Sequence, residues 1–301
     1  MRFTLSYLVL ALLATPVFAG DDKDYTYLAL GDSVPFGLNA TLLPPYTKRV
    51  PRAAAFIGYP EVIAAAENLT RSKKEVNAAC PGETSGSFLD IRTPDYGCNS
   101  PHFEPPATTI PSYKSNFGLH TAYAGAQMDF AESELKSNKN INMVTLSIGA
   151  NDGILVLPTL QQCGTNSDCA QGVLGPVLEL YGANLATILT RIRAQYHGTL
   201  ILVKYYSPSP ALDGFTMAFN DVMTGVAAKL ALDPNFKPVI FADGFTAFQL
   251  ASELFDHDAC KAGLLIRLPP LPLAPPCDIH PSRLGRDILA LAIEFAKWSK
   301  R

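Results

Sequence analysis

Five short runs with strand character alternate with segments of helical apolar spacing, and that order leaves few folds open. The runs are Tyr25–Leu30, Glu75–Ala79, Asn142–Ile148, Thr199–Tyr206 and Pro238–Ala242. Helical patterns cover Tyr59–Leu69, with Pro60 in its first turn, a stripe of Ala124, Met128, Ala131 and Leu135, then Leu178–Ile192 and Met217–Leu232. A last helix carries Leu284, Ile288, Leu291, Phe295 and Trp298, which at this spacing form one core-facing stripe. Strand then helix, repeated, marks βαβ units whose strands pair in parallel and bury both faces. The expected fold is α/β: a single doubly wound five-stranded parallel sheet flanked by helices, with no internal repeat and no second domain.

Two strands break at glycine with polar side chains just beyond. Tyr25–Leu30 ends in Gly31-Asp32-Ser33, and Asn142–Ile148 ends in Gly149-Ala150-Asn151-Asp152. In a parallel sheet both breaks lie at one edge, so Ser33 and Asn151 are expected side by side where a ligand can reach them. Asp32 or Ser33 also suits the cap of a following helix, and Asn151 an ordinary turn. The segment Cys80–Gly86 is turn-rich, and its glycines let backbone N–H groups approach a ligand; a disulfide-pinned turn has the same composition. His280 precedes Pro281, which suits a first helical turn and places the ring just outside the last helix. Asp256-His257-Asp258 reads as a solvated loop and not as a metal site. Between Arg92 and His120, five prolines (94, 101, 105, 106 and 111) stand among Tyr96, Phe103 and Tyr113 without sustained period, as in a packed lid or substrate wall.

Residues 1–19 have the form of a signal peptide: Arg2, an apolar run from Leu5 to Phe18, and small residues ending at Ala19. The run is short for a membrane span, and export of a soluble monomer without a transmembrane anchor is expected, to the periplasm or the medium. Six cysteines with no Cys-x-x-Cys pair then fit disulfides. Fifteen pairings exist, and spacing favours neighbours: Cys80 with Cys98, Cys163 with Cys169, Cys260 with Cys277. A net charge of −3 without a basic run argues against nucleic acid as a partner. Asn39-Ala40-Thr41 and Asn68-Leu69-Thr70 are glycosylation sequons.

An acyl-transfer site needs a nucleophile, a base and donors for the oxyanion, usually from different strand ends. The chain offers Ser33, Gly82 with Asn151, and His280, in that order. Gly31-Asp32-Ser33, Asn77 with Gly82-Glu83-Thr84, Gly149-Ala150-Asn151-Asp152 and His280-Pro281 together resemble the four blocks of the SGNH (GDSL-type) hydrolases, over Tyr25 to Trp298. The resemblance implies a flavodoxin-like sheet over residues 20–301 and no metal or organic cofactor. It implies that Ser33 attacks an ester carbonyl, that His280 takes its proton, and that the Ser33 and Gly82 N–H groups with the Asn151 amide hold the oxyanion. A secreted bacterial lipase or esterase acting on a small-molecule or lipid ester follows, the apolar Arg92–His120 segment favouring an acyl group. A carbohydrate O-deacetylase or phospholipase would use the same site, and the competing class is a secreted binding protein with a dead site. The family usually places an Asp three residues before the histidine; here Cys277 stands there and Asp278 stands two before. Either the Asp278 carboxylate or the Cys277 main-chain carbonyl is left to orient His280, the second as in family members that work as Ser–His dyads.

Overall fold

A computed structural model describes residues 26–69, 75–104, 108–271 and 274–299. The expected signal peptide, Tyr25, Thr70 of the second sequon, Pro105 and Pro106 lie outside the described residues. In chain order the elements are β1 (Thr26–Gly31), α1 (Ser33–Phe36), α2 (Tyr59–Ala66), β2 (Glu75–Asn77), α3 (Ser85–Leu89), β3 (His102–Glu104), β4 (Thr108–Ile110), α4 (Gln127–Ser137) and β5 (Ile141–Ser147). There follow α5 (Ala150–Ile154), α6 (Leu157–Gln162), α7 (Ser167–Gln195), β6 (Thr199–Lys204), α8 (Asp213–Leu230), β7 (Ile240–Asp243), α9 (Gly244–Ala251), β8 (Leu265–Arg267), β9 (Cys277–Pro281) and α10 (Arg283–Trp298).

The main sheet has the order β2-β1-β5-β6-β7, every neighbouring pair parallel. This is the flavodoxin-like order, with its topological switch between β1 and β5. Because strand side chains alternate, each strand feeds both layers. Leu28, Leu30, Val144, Leu146, Leu200 and Leu202 enter the core shared with α4, α7 and α8. Their neighbours Tyr27, Ala29, Met143, Ile201 and Val203 enter the opposite core, with α2, α9 and α10. By length and composition α7 passes for a membrane span, with mean hydropathy 1.3 over its most apolar window. Its Tyr181, Leu185, Ile188, Leu189 and Ile192 are nonetheless packed on the sheet.

The last helix is rotated from expectation. Leu284, Leu291, Phe295 and Trp298 are exposed, Phe295 by 67% and Trp298 by 61%, while Gly285, Leu289, Ala290, Ile293 and Ala296 are buried. The helix is apolar on more than one side, and the face with the small residues wins because it approaches more closely. A Cβ on Gly285 would stand 2.1 Å from the Leu264 carbonyl oxygen. Pro281 is likewise not in the first helical turn: it ends β9, and Ser282 caps α10 by accepting the Gly285 N–H at 3.3 Å. Ala124 lies before α4, which begins at Gln127.

All three neighbouring cysteine pairs are bonded, with Cα–Cα distances of 5.5, 5.5 and 5.9 Å along the chain. Cys80–Cys98 ties the end of the β2 loop to the segment before β3, and Cys260–Cys277 ties the segment before β8 to the start of β9. Each removes chain entropy from the unfolded state, contributing about 3 kcal/mol for loops of this length.

Candidate active site

The ends of β1 and β5 are level, Gly31 pairing with Ser147. They come so close that a Cβ on Gly31, at φ +132°, would stand 1.9 Å from the Ser147 carbonyl oxygen, so only glycine fits. The next N–H, of Asp32, donates to that same oxygen at 3.1 Å. Asp32 then caps α1, its carboxylate accepting the Val34 N–H at 3.0 Å. Asp32 is thus the cap, and Ser33 follows it as the first helical residue. Ser33 is 8% exposed and lines a cavity of about 310 Å³.

The partner of Ser33 arrives from the other end of the chain. In the extended strand β9, residues two apart share a face, which puts Asp278 and His280 together. His280 Nε2 lies 2.8 Å from Ser33 Oγ, and Nδ1 lies 2.8 Å from Asp278 Oδ2. An ionised carboxylate only accepts, so the ring proton sits on Nδ1, and Nε2 is free to accept the Ser33 O–H. Burial alone would raise the Asp278 carboxyl; the His280 ring and the Ile279 and Ala40 N–H groups outweigh it and hold the group below the usual range. The strand itself is fixed by the Tyr206 hydroxyl, which donates to the Ile279 carbonyl at 2.6 Å, the Tyr206 ring being stacked on Phe248 at 4.2 Å.

Gly82 and Asn151 line the same cavity as Ser33. Gly82 has φ +79°, and a Cβ there would meet the Tyr96 carbonyl oxygen at 2.0 Å. Neither the Ser33 N–H nor the Gly82 N–H donates to a protein acceptor among the described residues. Asn151 is buried, and its amide donates one hydrogen to the Glu83 carbonyl at 2.9 Å, leaving the second available. Three residues with an available N–H donor therefore line one cavity, and donors of this kind can hold negative charge on an oxygen.

The contacts of several further members of this site carry no local signal in the sequence, although Asp152 and Glu83 stand inside the matched blocks. Tyr205, just beyond β6, donates its hydroxyl to Asp32 Oδ2. Asp152 accepts the Ser85 N–H at 2.8 Å and the Ser85 hydroxyl at 2.5 Å, joining α5 to α3. Gln127 at the start of α4 grips Gly31, accepting its N–H at 2.7 Å and donating to its carbonyl at 2.9 Å. Glu83 is fully buried beside it. Cys80, Glu83 and Cys98 offer three metal-type ligand atoms within 4.8 Å, but the two sulfurs are bonded to each other, which leaves one carboxylate.

Burial pushes the Asp32 carboxyl up to about 6, although the Tyr205 hydroxyl and Val34 N–H oppose it. Burial likewise pushes Glu83 up to about 7, against the pull of the Lys114 charge. Acids whose folded pKa lies above the unfolded one keep their protons longer when folded, so stability falls as pH rises between the two values. Between pH 5 and 8 these two groups together remove on the order of 4 kcal/mol, a Tm lowered by roughly 5–10 °C. Scanning calorimetry at the two pH values should show this fall, and Glu83→Gln should reduce it. A Tm that rises from pH 5 to 8 in both proteins contradicts the assignment.

The cavity has two kinds of wall. Helices α5, α6 and α8 and the segment before α8 contribute Ile154, Leu157, Leu212, Phe215 and Phe219. The Arg92–His120 segment contributes Tyr96, His102 and Tyr113, the His102 ring lying 5.3 Å from Tyr96 and 6.0 Å from Tyr113.

The sequence profile of the GDSL-like lipase/acylhydrolase family matches residues 29–288. No curated protein matches the chain. Among solved structures, phospholipase A1 from Streptomyces albidoflavus NA297 is similar at 16% identity and a TM-score of 0.51, over 90% of this chain and 99% of that one. An extracellular lipase from Streptomyces rimosus is similar at 19% identity and a TM-score of 0.49, over 90% and 99%. An acetylxylan esterase from Geobacillus stearothermophilus is similar at 15% identity and a TM-score of 0.46, over 90% and 93%.

Proposed function

Since the chain belongs to the GDSL-like lipase/acylhydrolase family, we propose that it is an exported serine ester hydrolase that cleaves esters of apolar acyl groups through an acyl-enzyme on Ser33. The observation that carries this reading is the continuous chain from Ser33 Oγ through His280 to Asp278, two contacts of 2.8 Å opening on a largely apolar cavity. Ser33 Oγ attacks the ester carbonyl as Nε2 takes its proton, and Asp278 stabilises the imidazolium formed. The carbonyl oxygen becomes an oxyanion held by the Ser33 and Gly82 N–H groups and the free hydrogen of Asn151. His280 returns its proton to the leaving alcohol, and water repeats the sequence on the acyl-enzyme. The apolar run up to Phe18 and the three disulfides support export.

The wall of Ile154, Leu157, Leu212, Phe215 and Phe219 suits an alkyl chain, which favours lipase or esterase action over O-deacetylation of a sugar. Hydrolysis of p-nitrophenyl esters from C2 to C16, with fluorophosphonate labelling of Ser33, tests both parts. Labelling is expected, with kcat/KM rising beyond C2. Labelling with a maximum at C2 overturns the acyl preference in favour of a deacetylase, and absence of labelling and turnover overturns the hydrolase reading. Asn151→Ala should lower kcat by about 10²–10³ with KM little changed, the usual loss for one oxyanion donor. A change confined to KM makes Asn151 a substrate-binding residue instead.

A further inference from the structure

Building on the reading of Ser33 as the acylated nucleophile, we propose that Glu83 is the positioning residue of the oxyanion pocket, holding the Gly82 N–H and the Asn151 amide in register with Ser33. Its side chain is 0% exposed, and the Lys114 charge is the one cation that acts on it among the described residues. Oε1 accepts the Ser87 hydroxyl at 2.9 Å, and Oε2 accepts Gln127 Nε2 at 3.0 Å and stands 3.2 Å from Cys98 Sγ of the disulfide. Gln127 in turn holds both main-chain groups of Gly31, two residues before Ser33, and the Gly31 carbonyl also accepts the Cys80 N–H at 3.0 Å. The main-chain carbonyl of Glu83 holds Asn151. Its N-terminal neighbour is Gly82, which has no side chain of its own to fix the direction of its N–H.

One residue is thus tied to the element carrying each oxyanion donor: to the end of β1 through Gln127, to Gly82 through the peptide bond, and to Asn151 through a hydrogen bond. A buried carboxyl is unfavourable for the fold, and leucine would fill the volume more cheaply. What leucine lacks is the pair of fixed acceptors for Ser87 and Gln127. Without them residue 83 rotates, and the donors on either side of it shift relative to the reacting carbon. Misplacements well under 1 Å are enough to matter, because donors must meet the oxyanion at hydrogen-bond distance.

The test compares Glu83→Ala, Glu83→Gln and Ser87→Ala with the parent protein on a p-nitrophenyl ester, and measures inhibition by an alkyl boronic acid. In that adduct the Ser33 oxygen bonds to boron, its proton passes to His280, and a boron-bound oxygen occupies the oxyanion pocket. Glu83→Ala is expected to lower kcat about 10- to 100-fold and to weaken the boronate by the same factor, with KM within about twofold. Glu83→Gln, which keeps an acceptor for Gln127, should return kcat to within about fivefold of the parent. Ser87→Ala, which removes one of the two donors, should lower kcat about three- to tenfold at constant KM, and it decides the matter if Glu83→Ala does not fold. Unchanged kcat in a folded Glu83→Ala or in Ser87→Ala overturns the proposal, as does a loss confined to KM. A parent protein that neither turns over esters nor reacts with fluorophosphonate overturns the hydrolase reading itself, a failure visible before any variant is compared.

Discussion

Ser33→Ala is expected to lower kcat by about 10⁶ while leaving the fold and its unfolding temperature nearly unchanged. Among the described residues the hydroxyl makes one hydrogen bond, with His280 Nε2, and belongs to no core cluster; α1 is capped by Asp32 and not by Ser33. Deleting it removes the nucleophile and leaves the Ser33 position's N–H, Gly82 and Asn151 in place, so a residual acceleration from the oxyanion donors and substrate binding remains. Steady-state rates on the preferred ester, with calorimetry on the same preparation, read both halves of the expectation. Activity within tenfold of the parent would remove Ser33 from the mechanism, and a folded but inert protein would agree with it.

Asp278→Asn should cost on the order of 10⁴ in kcat, with KM close to the parent value. An asparagine turned to present its N–H₂ to Nδ1 makes that nitrogen an acceptor. The ring proton then sits on Nε2, facing Ser33 Oγ, and the base is lost although no atom has moved. Asp278 is well placed to impose the opposite tautomer: its Oδ1 accepts the Ile279 N–H at 2.7 Å, which fixes Oδ2 against the ring. A loss under about tenfold would transfer the orienting role to the Cys277 main-chain carbonyl, whose neutral dipole stabilises the imidazolium less than a carboxylate does.

Much of this was legible along the chain because it is local. Apolar runs that stop at Gly31 and Gly149 state where strands end, and alternation with helical periods implies a parallel sheet. A parallel sheet then requires both stops to lie at one edge, which the Gly31–Ser147 register bears out. Short loops between cysteines likewise limit which sulfurs can meet, and the three neighbouring pairs are those that form. The pattern failed on α10, where apolar residues lie on more than one side and periodicity cannot rank them. Close approach of Gly285 to the Leu264 carbonyl, a contact between distant segments, decides which face turns inward.

The spacing of Asp278 and His280 placed both on one face, but whether the carboxylate meets the ring depends on how β9 pairs with β8 and is held by Tyr206. Gln127 and Tyr205 had no signature at all, and Glu83 stood inside a matched block with no role of its own. Their side chains matter only because α4, the loop after β2 and the end of β6 meet beneath Ser33, and that meeting is set by packing across the sheet. A sequence states which backbone turns are possible and which side chains stand at their ends. How distant polar groups satisfy one another in a buried, water-poor space is a property of the assembled core, and it appears only when the elements are in place.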